Sequence, residues 1–172
     1  MYHVDALDRV VELSDFPQCS IGAPLPSLIS TEHETVLLFL RDDAAEDWDG
    51  TTARIVSLSS EDEPLAVVTF HKCYARIFGP PNEEAYMGHP LAGRGVRPFG
   101  AFRIENSSWL RRLESMNSVH RDHSPARFSA LTHYIVTFHD STFECIAASY
   151  TVETTQAPPK QALLRIVERM AP

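Results

Sequence analysis

A chain of 172 residues with 44% hydrophobic and 22% charged side chains has the size and composition of one ordinary globular domain, read as spanning residues 1–172. A net charge of −8 lacks the basic footprint that phosphate neutralisation needs, which argues against nucleic acid or anionic lipid as a general partner. The longest apolar run, Val36 to Leu40, is far short of the roughly 20 residues a membrane helix needs. The acidic start around Asp5 and Asp8 does not read as a secretory leader, so the expected setting is the cytoplasm.

The elements follow in chain order. Val4, Leu7, Val10 and Val11 recur at helical spacing behind Asp5 and Asp8, which predicts a short helix over residues 4–13. Prolines 17, 24 and 26 then impose an irregular stretch. Thr35 to Arg41, Thr52 to Leu58 and Leu65 to Phe78 are rich in β-branched and aromatic residues and read as sequential strands, the third bending near His71-Lys72. A further strand from Pro98 to Glu105 leads to Asn106-Ser107, either of which caps a following helix with Trp109, Leu110, Leu113 and Met116 on its apolar face. Residues 133–150 read as a hairpin turning at Asp140-Ser141, with His139 opposite Thr142 and Phe138 opposite Phe143. That register gathers Tyr134, Val136, Phe138, Phe143 and Cys145 on one apolar face, and a slip of one residue would mix the faces. Pro158-Pro159 opens a last helix carrying Leu163, Ile166, Val167 and Met170 on one side. About six strands and three helices arranged in runs predict an α+β fold, an antiparallel sheet with helices packed on one side.

Four groups of residues carry candidate chemistry. On the hairpin's polar face Glu144 lies diagonal to His139, and an imidazole paired with a carboxylate gains basicity and a defined tautomer, so these two are the expected catalytic pair. The segment Gly88 to Gly100 holds four of the seven glycines with His89, Arg94 and Arg97 among them. Glycines let backbone N–H groups approach an anion while the arginines add charge, which marks these three side chains as ligand-binding. The segment matches neither G-x-x-x-x-G-K-[ST] nor G-x-G-x-x-G, so no nucleotide-cofactor motif is present. His120 and His123 stand at i, i+3, a spacing one helical turn can bring to a single divalent metal, with His89, His133 or His139 and an acid such as Glu144 completing the set. Cys19, Cys73 and Cys145 are odd in number, widely spaced and without C-x-x-C, which argues against disulfides or a thiolate zinc site. Cys145 falls on the core side of the hairpin.

Charge is segregated. Eight acids lie between Asp42 and Glu63 against Arg54 alone, whereas seven arginines lie between His89 and Phe128 against three acids. These features predict a small soluble enzyme or small-molecule-binding protein, its His/Glu pocket beside the Gly/Arg loop and its ligand a small carboxylate or phosphate. The alternative is a noncatalytic interaction or inhibitor domain that covers a basic partner with its acidic face, around Trp48. The amphipathic terminal helix leaves room for packing against a second copy of the chain.

Overall fold

A computed structural model describes residues 2–42 and 55–170. Its backbone is mostly sheet. Nine strands are described: β1 (Arg9–Glu12), β2 (Ser27–Ser30), β3 (Glu34–Leu40), β4 (Glu63–His71), β5 (Ala75–Gly79), β6 (Ala101–Glu105), β7 (Thr132–Thr137), β8 (Thr142–Ala147) and β9 (Ser149–Ala157). The helices are α1 (Ser108–Asn117), α2 (Pro125–Ser129) and α3 (Pro159–Met170). The strands form two antiparallel sheets, one in the order β1-β6-β7-β8-β5 and the other β2-β3-β4-β9. The single six-strand sheet expected from the sequence is therefore replaced by two packed sheets, and the helices divide between their outer faces.

The physical reason lies in the third strand segment. Lys72 takes φ 51, a left-handed conformation, so the chain turns between β4 and β5 and passes from one sheet to the other. Between the sheets, Leu37, Phe39, Val68 and Phe70 meet Tyr134, Val136, Phe143 and Cys145 in one buried cluster. The opposite face of β3 and β4 presents Val36, Leu38, Leu65 and Val67 to Ala162 and Ile166 of α3. A strand covered on both faces needs apolar residues without alternation, which accounts for the unbroken run from Val36 to Leu40.

Two expectations are corrected here. Residues 4–13 are not helical: Arg9 to Glu12 pair with Phe102 to Glu105 as an edge strand. Pairing with β6 satisfies the inward-facing backbone groups of residues 9–12, and Leu7, on the supposed apolar face, is 59% exposed. The segment Thr52 to Leu58 falls partly outside the described residues, and its described part, 55–58, is not strand. The acidic stretch with Trp48 also lies outside them.

The β7–β8 hairpin keeps the expected faces in a different register. Thr137 pairs with Thr142, Val136 with Phe143 and Tyr134 with Cys145, two residues from the anticipated pairing. Phe138 to Ser141 form the connection, closed by the Phe138 N–H donating to the Ser141 carbonyl at 2.8 Å. Because side chains alternate with period two, a shift of two preserves every face. No helix among the described residues is long and apolar enough to cross a membrane.

Candidate functional site: a buried carboxylate cluster beside a surface groove

The outer face of the five-stranded sheet carries His133 on β7 and Glu144 on β8. His133 pairs with Ile146 across the ladder, so it sits diagonal to Glu144, the relation anticipated for His139. The His133 Nε2 lies 3.0 Å from Glu144 Oε2 and His89 Nε2 lies 3.2 Å from Oε1. The Tyr2 hydroxyl donates to Oε2 at 2.6 Å. His89, His133 and Glu144 are 3%, 0% and 2% exposed. Tyr2 stacks on Trp109 with ring centres 5.4 Å apart, and Trp109 meets the edge of His133 at 5.1 Å, which closes the cluster with aromatic surface.

Hydrogen-bond partners assign the tautomers. Leu91 N–H donates to His89 Nδ1 at 3.2 Å, so a neutral His89 carries its proton on Nε2 and gives it to Glu144. Ser107 Oγ lies 2.9 Å from His133 Nδ1 and itself accepts from Leu110 N–H at 3.2 Å. The hydroxyl proton therefore points to Nδ1, and His133 gives its Nε2 proton to Glu144. Burial alone would push the pKa of Glu144 up, but the donors His133, His89 and Tyr2 outweigh it and hold the carboxyl down to about 2. Burial pushes His133 below the ordinary imidazole value despite the neighbouring carboxylate, and burial together with Glu144 pushes the Tyr2 phenol up. The resting cluster is one carboxylate held by a neutral His133, by His89 and by a phenol.

The ionised side chain fits its setting because both carboxylate oxygens meet donors, three in all. The same bonds disfavour a metal at this spot: an Nε2 that bears a proton fixed by Leu91 has no lone pair to give. Among the described residues no group of three or more His, Cys, Asp or Glu side chains is arranged to hold a metal ion.

The other predicted site residues go elsewhere. His139, in the turn, is not joined to Glu144. Its Nδ1 meets Asp140 at 2.9 Å and its Nε2 meets Glu83 at 3.1 Å, and the hydrogen bond to Asp140 raises its basicity. Arg94 donates to the backbone carbonyls of Asp5 and Asp8, and Arg97 pairs with Glu12 and lies over the Phe102 ring at 5.9 Å. The Gly/Arg loop thus clasps the amino-terminal segment. His120 Nδ1 accepts from Asp122 N–H, whereas His123 Nδ1 meets Asn117 Oδ1 at 3.1 Å, so the two imidazoles have separate partners.

Ser107 and Tyr2 are the members of the cluster that sequence reasoning did not place at a site, and His133 entered only as a further metal ligand, not as the partner of Glu144. The alternation that put Glu144 on the outer face also puts His133 there, and that was the available signal. No sequence pattern announces the approach of Tyr2 from 142 positions away.

Beside the cluster runs a groove of about 480 Å3 between α1, α2 and the ends of β6 and β7. Ile104, Leu110 and Phe128 line it together with Ser107, Arg103 and Arg111. A smaller hollow of about 90 Å3 lies between the segment 12–19 and Phe99. Neither hollow is lined by His139, His89, Arg94 or Arg97. No protein-family model, curated protein or solved structure matches the chain.

Proposed function

We propose that the protein binds a small molecule in the groove between α1, α2 and the β6–β7 ends, a ligand with an apolar body and one polar or singly charged end. The observation that carries this reading is the groove itself: its volume of about 480 Å3 falls in the ordinary range for small-molecule sites, and apolar walls stand beside a few polar groups. Arg103, paired with Glu105 at 3.1 Å, and Arg111, paired with Asp5 at 2.7 Å, bring planar guanidinium groups to the groove whose remaining N–H donors suit a carboxylate. Glu105 and Glu114 line the same groove and balance them, which favours a monoanion or neutral polar group over a multiply charged phosphate.

The test is a titration with a panel of small aliphatic and aromatic monocarboxylates and their esters, followed by amide chemical shifts. Binding is expected to move resonances of residues 103–114 and 125–132. Leu110→Trp, which fills the groove, is expected to weaken that binding at least tenfold. A panel that moves none of these resonances, or shifts that persist unchanged in Leu110→Trp, overturns the assignment.

A further inference from the structure

The chain that leaves the groove inward has an order with chemical meaning. Ser107, only 2% exposed, stands at the inner wall of the groove, its Oγ lies 2.9 Å from His133 Nδ1, and His133 Nε2 lies 3.0 Å from Glu144 Oε2. A hydroxyl, a neutral imidazole whose lone pair faces that hydroxyl, and a buried carboxylate holding the imidazole's other proton are the parts of an activated serine. Here Nδ1 faces the serine and Nε2 the acid. Nothing in the proton transfer depends on which ring nitrogen does which.

Two further features agree. Ser107 stands between the end of β6 and the start of α1, and Asn106 before it takes φ 53 in the left-handed region. Asn adopts this region readily, and the resulting sharp strand-to-helix turn, with Ser107 itself at an ordinary φ of -51, resembles the turns that present nucleophilic serines on other folds. His89 and Tyr2 also hold the Glu144 carboxylate, so an imidazolium formed on His133 would meet a fixed negative charge without reorganisation.

We propose that Ser107 is an acyl-accepting nucleophile, with His133 as its general base and Glu144 as the group that orients His133, acting on small esters bound in the groove. This rests on the groove being the ligand site. In the first step Ser107 Oγ bonds to the ester carbonyl carbon and its proton passes to His133 Nδ1. The carbon–oxygen bond to the alcohol then breaks and that proton leaves with the alcohol. Water attacks the acyl-serine, gives one proton to His133 Nδ1 and releases the carboxylic acid, and the proton returns to Oγ. The balance is ester plus water to acid plus alcohol. Two first-turn amides of α1 are already engaged, Ser108 N–H with Asp8 and Leu110 N–H with Ser107, so both acylation and deacylation are expected to be slow, and acylation is read with an activated ester whose leaving group departs easily.

The experiment exposes the full-length folded protein to p-nitrophenyl acetate and to a fluorophosphonate ester, with intact mass and peptide mapping as readouts. The expected result is a single adduct on Ser107, absent in Ser107→Ala and at least about 100-fold slower in His133→Gln. The labelling rate should also fall on acidification below the ordinary imidazole range, a dependence that a purely structural cap would not show. Should His133→Gln fail to fold, Leu110→Trp serves as the second variant, and it is expected to slow labelling by blocking the groove. Absence of a Ser107 adduct, or labelling that is equally fast in urea, overturns the inference. If monocarboxylates still bind the groove in that case, the catalytic role alone is lost.

Discussion

Glu144 is reached by donors from three distant parts of the chain, and its worth to the fold follows from what each would lose. A glutamine in its place keeps the shape but turns one acceptor into a donor facing an imidazole or phenol that already donates. Glu144→Gln is therefore expected to cost about 3 kcal/mol in urea unfolding, whereas Glu153→Gln, at a side chain 68% exposed, should change stability by less than about 0.5 kcal/mol. The same cluster sets a pH dependence. His133 has a lowered folded-state value, so below about 6.5 the unfolded chain binds the proton more readily and stability falls with pH. Glu144, held down to about 2, adds stability that is complete above its ordinary 4.5 and is lost as pH drops from there toward 2. Urea midpoints at pH 7, 5.5 and 4 should descend in that order. A midpoint unchanged between 7 and 5.5 contradicts a neutral, buried His133.

Among the elements, the segment before β1 behaves as a strap laid over the cluster. Asp5 and Asp8 were read as the first turn of their own helix. Asp8 does cap a helix, but it is α1, where its Oδ1 accepts from Ser108 N–H at 2.7 Å. Arg111 pairs with Asp5 at 2.7 Å and Arg94 holds the carbonyls of Asp5 and Asp8. Arg94 and Arg111 replaced together by alanine should loosen the strap while leaving β7 and β8 closed. Hydrogen exchange is expected to accelerate at residues 4–8 and stay slow in the hairpin. Equal acceleration in both would mean that the strap and the sheet open as one unit.

For the whole molecule, stability is concentrated where the two sheets meet. Phe143 is fully buried and its ring centre lies 5.2 Å from that of Phe70, so truncation leaves a cavity in the middle of the sandwich. Phe143→Ala is expected to cost about 4 kcal/mol. Val167→Ala on α3, where the side chain was read as apolar-face but is 50% exposed, should cost less than about 0.5 kcal/mol. A thermal or urea unfolding series with both variants tests whether the inter-sheet layer is the principal core.

What was legible in the sequence was local and periodic. The alternation in residues 133–147 correctly sorted Tyr134, Val136, Phe138, Phe143 and Cys145 to the core, because burial acts on every second side chain whatever the register. Turn and cap chemistry placed α1 after Asn106-Ser107, of which Ser107 is the cap, and α3 at Pro158-Pro159 for equally local reasons. Tertiary structure decided what depends on partners remote in the chain: that residues 9–12 join β6 as a strand, that the strands divide into two sheets, and that Glu144 takes His133, His89 and Tyr2 in place of His139. Periodicity reports which face of a segment avoids water. The identity of the group that meets that face is settled only when separate segments compete for the same hydrogen bonds.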